Sequence, residues 1–242
     1  MTKSAGYYDL RQAFSEPGCA LCRLLAQVAD RYIDGVLWEL VNDPELRQEL
    51  NQTRGYCREH AWLLVRYGAS LGAAIMMKDI IDTLLRVADA GKFEPPPFSL
   101  RQMWQNLNSA QPSAATAKLA ANLAPQAPCP VCVKVQTTQT YYLVAQGQHL
   151  LGPDNLAPAY HTSDGLCLPH FRLALAQVSR EEIFTALVEA QKAVWQRLSA
   201  DLSEFIRKKD YRFQNEAFGS EGDAWLRAIE AVVGGSPPKA KG

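Results

Sequence analysis

Cys19-Ala20-Leu21-Cys22 and Gly55-Tyr56-Cys57-Arg58-Glu59-His60 in the first half of the chain are answered by Cys129-Pro130-Val131-Cys132 and Gly165-Leu166-Cys167-Leu168-Pro169-His170 in the second. Every cysteine and histidine of the second set stands 110 positions after its counterpart, and Gly55/Gly165 and Tyr32/Tyr142 keep the same offset. A fixed offset shared by so many positions marks an internal repeat. Cys-x-x-Cys places two sulfurs on one side of the backbone, and Cys-x-x-His does the same for a sulfur and an imidazole at i, i+3. Two such pairs facing each other make a closed tetrahedral site, the arrangement of structural zinc. The six cysteines and two of the histidines therefore predict two Cys3His sites from Cys19, Cys22, Cys57, His60, Cys129, Cys132, Cys167 and His170, holding two zinc ions per chain. Iron–sulfur ligation is the alternative cofactor for the same residues.

Chain reach allows each site to close within its own repeat. A helix of about 19 residues carries the chain about 28 Å away from Cys22. A short helix and about four extended residues return about 25 Å, enough to bring Cys57 back. The crossed arrangement, in which Cys19 and Cys22 face Cys167 and His170, stays open beside it.

The surrounding pattern is helical. Leu21, Leu24, Leu25, Val28, Tyr32, Val36, Leu37 and Leu40 form one stripe ending near Val41. Asp43-Pro44 reads as an N-cap followed by proline at the first helical position, opening a short helix to about Leu50. A long helix is expected from about Cys57 to Ala90, another from Cys129-Pro130, and a third to about Lys208 after the capping box Ser179-Arg180-Glu181-Glu182. Gly152-Pro153-Asp154-Asn155 and Pro158 suggest an irregular return, and Asp223 to Val233 a last short helix that packs back through Phe213, Phe218, Trp225 and Ile229. The fold class is thus all-α, two pseudo-repeated helical units each stapled by a Cys3His site. The expected organisation is a first repeat over 1–91, a linker with weak helix over 92–128 containing Pro95-Pro96-Pro97, a second repeat over 129–208, and a C-terminal segment over 209–242 whose tail from Ser236 is disordered.

Composition removes several classes of function. Lysine plus arginine and aspartate plus glutamate balance at 25 each, so no global field draws the chain to nucleic acid. The short basic run Arg207-Lys208-Lys209 with Arg212 reads as a helix end complementing the dipole. Trp62 to Val87, the greasiest stretch, is interrupted by Arg66, Lys78, Asp79, Asp82 and Arg86, which a membrane span does not tolerate. The N-terminus lacks the apolar segment of a signal peptide, so a cytoplasmic protein is expected, where cysteines serve metals more than disulfides. Gly68-Ala69-Ser70-Leu71-Gly72 matches the pattern of a serine hydrolase elbow but is expected inside a helix, where the required strand-to-helix turn is missing. Met76-Met77 reads as core, and His149 and His161 as ordinary histidines. No catalytic constellation is present, and no Walker loop or dinucleotide fingerprint.

The runs Cys19-Ala20-Leu21-Cys22-Arg23-Leu24, Tyr32-Ile33-Asp34-Gly35, Glu39-Leu40-Val41-Asn42-Asp43-Pro44 and Gly55-Tyr56-Cys57-Arg58-Glu59-His60-Ala61-Trp62, with Asp210-Tyr211-Arg212-Phe213 and Glu221-Gly222-Asp223-Ala224-Trp225-Leu226-Arg227, resemble a bacterial family of unknown function with paired Cys-x-x-Cys and Cys-x-x-His motifs. The likeness covers most of the chain and is weakest between Lys92 and Pro128. It implies metal binding and no reaction. Two readings of function follow: a non-enzymatic binding or scaffold protein for a protein or small-molecule partner, and a thiolate-based metal or redox-responsive regulator.

Overall fold

The computed structural model describes residues 4–91, 114–153, 155–213 and 215–235. Among them the chain is all-α, with eleven α-helices and no strand. It forms two compact units, Met1–Ala29 with Lys134–Pro238 and, second, Asp30–Val133, as far as each is described. The first unit is assembled from two separate stretches of the chain, and the borders fall inside two helices, α2 (Ala20–Gly35) and α7 (Pro130–His149).

In the first unit, α1 (Ala5–Ala13) and the start of α2 are joined by most of α7, then α8 (Ala157–Thr162), α9 (Leu168–Ala176), α10 (Glu181–Lys209) and α11 (Ala224–Val233). Tyr7, Leu10, Leu21, Leu150, Leu156, Tyr160, Leu166 and Leu187 are its most deeply buried large side chains, all within one apolar cluster. Several polar groups entering this core are paired, which offsets the cost of burying them. The Tyr160 hydroxyl donates to Gln191 Oε1, which also accepts Leu166 N–H at 3.1 Å. The Tyr142 hydroxyl donates to Asp9 at 2.9 Å, and Gly6 N–H donates to the Tyr141 hydroxyl at 2.8 Å. His149 lies within 3.2 Å of Ser4 Oγ and edge-on to Tyr7, as an ordinary satisfied histidine.

The second unit holds the rest of α2, a π-helical turn Val36–Leu40, α3 (Pro44–Thr53), α4 (Arg58–Ala61), α5 (Ser70–Asp89), α6 (Ala114–Leu123) and the first residues of α7. Its core is smaller, built on Ile33, Val36, Leu46, Leu50, Leu63, Met76 and Ile80. The predicted start of α3 is present in detail: Asp43 accepts Leu46 N–H at 2.8 Å and Pro44 takes the first position. Met76 is core, as its pattern indicated.

Two local expectations are corrected. The helix expected from Cys57 to Ala90 is broken after α4 by a 3-10 turn, Trp62–Leu64, and by Gly68 at φ +77°. Leu63 and Leu64 are buried while Arg66 turns to Asp30 (3.0 Å) and Asp34. Anchoring that guanidinium on the two α2 carboxylates outweighs helix propensity through this segment. Ser70 is exposed at the first position of α5 with no strand before it, so the hydrolase pattern has no elbow here. The capping box is also unmade: Arg180, not Ser179, is the N-cap of α10, and no side chain caps it.

The C-terminal segment packs on α10 and α9, anchored differently from expectation. Ala224 is fully buried, whereas Trp225 and Ile229 are about half exposed. Ion pairs fix it, Arg227 with Asp201 at 2.9 Å and Lys208 with Glu221 at 2.7 Å. The basic run at the end of α10 is thereby occupied within the chain, since Arg207 pairs with Glu204 and Glu216 and Arg212 with Asp210. The Lys208 ammonium and then Gly219 N–H hold Glu221 down to about 2. A depressed carboxyl pKa contributes stability above its unfolded value near 4.5, lost as pH falls toward about 2. Glu221→Gln is therefore expected to flatten the acid limb of the stability curve between those values, read from denaturant midpoints at pH 2 to 6. The proline run and the tail from Ser236 lie outside the described residues. Among those described, no helix is long and apolar enough to cross a membrane.

Candidate metal centres

Cys19, Cys57, Cys129 and Cys167 each stand immediately before a helix: α2, α4, α7 and α9. In each case the cysteine carbonyl accepts the first intrahelical bond, from Arg23, Ala61, Val133 and Phe171, at 3.2, 2.9, 3.1 and 2.8 Å. The i, i+3 spacing therefore runs from the N-cap to the third helical residue, which is Cys22, His60, Cys132 or His170. The sequence spacing thus acts through the first helical turn.

The structure gathers all eight predicted residues into two groups. In the first unit they are Cys19, Cys22, Cys167 and His170, and in the second Cys57, His60, Cys129 and Cys132, each with its four donor atoms within 4.8 Å of one another. The sites are crossed: each takes its Cys-x-x-Cys from one half of the sequence and its Cys-x-x-His from the other. This corrects the closure within each repeat that chain reach allowed. The return leg is where it fails: α3 supplies ten residues, about 15 Å, so closure within a repeat needs the residues after it to extend. The four residues after it do not extend, because Arg54 (φ 55°) and Gly55 (φ +89°) form a left-handed turn with Gly55 N–H on Leu50 O at 2.8 Å.

His170 Nδ1 lies 3.5, 3.3 and 3.2 Å from the sulfurs of Cys19, Cys22 and Cys167. His60 Nδ1 lies 3.2, 3.8 and 3.3 Å from those of Cys57, Cys129 and Cys132. The Sγ atoms of Cys22 and Cys167 are 3.7 Å apart, and those of Cys57 and Cys132 3.6 Å. Disulfide bonding needs about 2.05 Å, and all six cysteines are free. One imidazole nitrogen offers a single proton or a single lone pair and cannot satisfy three thiols by hydrogen bonding. A tetrahedral ion with bonds of about 2.3 Å to sulfur and about 2.0 Å to nitrogen has edges of about 3.8 and 3.5 Å. The imidazole–sulfur distances and the Cys22–Cys167 and Cys57–Cys132 distances stand near those values, and all four donors of each group lie within 4.8 Å of one another, so each group fits one four-coordinate ion.

Burial and electrostatics agree with that fit. His60 and His170 are each 9% exposed, and Cys19, Cys129 and Cys167 are buried, while Cys22, Cys57 and Cys132 are half-buried. Burial pushes the Cys132 thiol up to about 12, helped by its contacts with Cys57 and Cys129. Burial pulls His170 down, but the sulfurs of Cys167, Cys19 and Cys22 outweigh it and raise the imidazole to about 12. In this arrangement three sulfurs draw positive charge toward their centre, the demand that a dication meets.

Sequence reading missed the supporting groups. Gly235 N–H donates to Cys22 Sγ at 3.3 Å from the end of α11, and a side chain at Gly234 would stand 3.5 Å from the same sulfur. Tyr160 lies near Cys19 and Cys167, and its hydroxyl pKa is raised, first by burial. Tyr32 is held at about 12 by burial, Glu49 and Cys129. The repeated glycine was legible, and its reason is backbone: Gly165 has φ +67°, and an added Cβ would lie 3.1 Å from both Gln191 Oε1 and Val194 Cγ2. Gly165→Ala is expected to cost about 1–3 kcal/mol. Gly55→Ala, whose Cβ meets only the end of Ile80 at 3.3 Å, should cost less. Urea midpoints of the two variants check the order.

A family model described as a family of unknown function (DUF6062) matches residues 7–239. An uncharacterized 23.9 kDa protein encoded in the xynA 3′ region of Caldicellulosiruptor sp. (strain Rt8B.4) is 23% identical over 222 residues, 91% of this chain and 97% of that protein. No solved structure matches the chain.

Proposed function

The chain belongs to the DUF6062 family, and from that premise we propose that it is a non-enzymatic binding or scaffold protein whose two compact units are each stapled by one zinc ion. The observation that carries this reading is the convergence of three sulfurs and one imidazole nitrogen, at tetrahedral separations, in both units. A single ion sits at the shared centre of such a group, whereas an iron–sulfur cluster holds its protein ligands farther apart around several metal atoms. Four protein donors leave no open position for substrate, which is the pattern of structural rather than catalytic zinc. The partner is a protein or a small molecule, and the reducing compartment that thiolate sites require is the cytoplasm. Elemental mass spectrometry on untagged protein, with a visible spectrum, tests the reading. Two equivalents of zinc and no colour support it, and iron with sulfide and visible absorption overturns it.

One observation favours a second reading. Cys22 in the first group and Cys57 and Cys132 in the second are half-buried, so each site shows at least one sulfur to solvent. A redox-responsive regulator would release its ion when such a thiolate is oxidised. Zinc release and loss of helicity on peroxide treatment, reversed by thiol reductant and zinc, would support that role. Unchanged zinc content and circular dichroism would exclude it.

A further inference from the structure

Between the second half of α7, the end of α9 and the start of α10, entirely within the first unit, lies a cavity of about 240 Å³. Its buried walls are mostly apolar, formed by Leu143, Leu150, Ile183 and Leu187 among others, while the exposed Gln148, Gln177, Ser179 and Arg180 also line it. Of the polar side chains that line it, Gln146 alone is buried. Gln146 is 2% exposed, and neither its Oε1 nor its Nε2 has a hydrogen-bond partner. Buried amides are normally paired, and an unpaired donor and acceptor on one side chain is a large penalty that a core of leucines gives no reason to retain. Gln191, equally buried on α10, differs in that its Oε1 accepts two bonds, although its Nε2 also has no partner.

We propose that this cavity is a binding site for a small, neutral, ring-sized molecule presenting a donor and an acceptor side by side, of the lactam or primary-amide class. The Gln146 amide has the complementary edge, Nε2–H donating to the ligand carbonyl and Oε1 accepting its N–H, while the leucine and valine walls take the ring. Size agrees, because a dry apolar cavity of about 150 Å³ already admits benzene. The one charged side chain lining it, Arg180, is already paired with Glu182 at 3.1 Å, so the ligand needs no charge. The site shares no residue with either metal group and stands whether or not the metal reading does.

The probes are 2-pyridone, benzamide and, as a ring without the hydrogen-bonding edge, benzene. They would be titrated into the full chain while the side-chain NH2 resonances of Gln146 are followed in 1H–15N spectra. Expected are saturable shifts of those resonances with 2-pyridone and benzamide, and binding weakened by about tenfold or more in Gln146→Met, which matches the shape without the edge. The same variant should bind benzene at least as well as wild type and melt at a higher temperature, since it removes the unpaired amide. Three results would overturn the proposal: unmoved Gln146 resonances at millimolar probe, equal affinity of 2-pyridone for wild type and Gln146→Met, or a Gln146→Met chain that melts lower. The last would mean the amide is satisfied by water or protein. The resonance titration needs only wild-type protein, so the inference is tested even if the variant does not fold.

Discussion

A Cys57→Ser chain is expected to hold one zinc instead of two and to lose the cooperative unfolding of its Asp30–Val133 unit. Apparent binding free energies of structural zinc sites are about 10–16 kcal/mol in small peptides, and a domain's net stability is about 5–15 kcal/mol. Removing one ligand therefore exceeds what most small units can tolerate. The effect should be larger here than for Cys167→Ser in the other unit. Around Cys167 lies an apolar cluster including Leu10, Leu21, Tyr160, Leu166 and Leu187, able to hold collapsed structure without the ion. The unit around Cys57 rests on fewer buried residues, with Trp62, Tyr67 and Leu71 exposed at 64, 98 and 72%. Small cores depend most on such staples. Elemental analysis with hydrogen exchange resolved along the chain reads the result. Wild-type protection across residues 30–133 in Cys57→Ser would show that the second group does not hold that unit together.

The crossed pairing makes a second prediction with an all-or-none outcome. Cut between Pro128 and Cys129, the chain yields two pieces that each carry three cysteines and one histidine of the ligand set. If sites closed within repeats, each piece would keep a complete site. With Cys19 and Cys22 beside Cys167 and His170, and Cys57 and His60 beside Cys129 and Cys132, each piece has only half of two sites. Neither piece alone should hold zinc tightly or show native helicity, and mixing them with zinc should restore two equivalents. One tightly bound zinc in the isolated 1–128 piece would contradict the crossed arrangement.

Local physics was readable from the residues. Asp43 caps α3 because a carboxylate one residue before a helix start accepts the N–H three positions on, and the sequence shows both the carboxylate and the proline that follows. The candidate ligand set was readable for the same reason, because i, i+3 spacing places both donor atoms on one helical turn whatever the rest of the chain does. The break at Gly68 was not readable, since it depends on Arg66 finding Asp30 and Asp34, more than thirty residues away. Nor was Gln146 as a lone amide among leucines: in sequence it is one of several glutamines on a helix, and only packing shows which of them is enclosed.

The sequence by itself determined the helical class, the eight candidate donors, and the glycines at which the chain must turn before each Cys-x-x-His pair. These are short-range properties, set by φ, ψ and the pitch of one helical turn. Tertiary structure alone decided which pairs face each other. Both pairings satisfy the same ligand chemistry, and the choice fell to a left-handed turn at Arg54 and Gly55 and to the packing of helices that lie up to 150 residues apart in the chain.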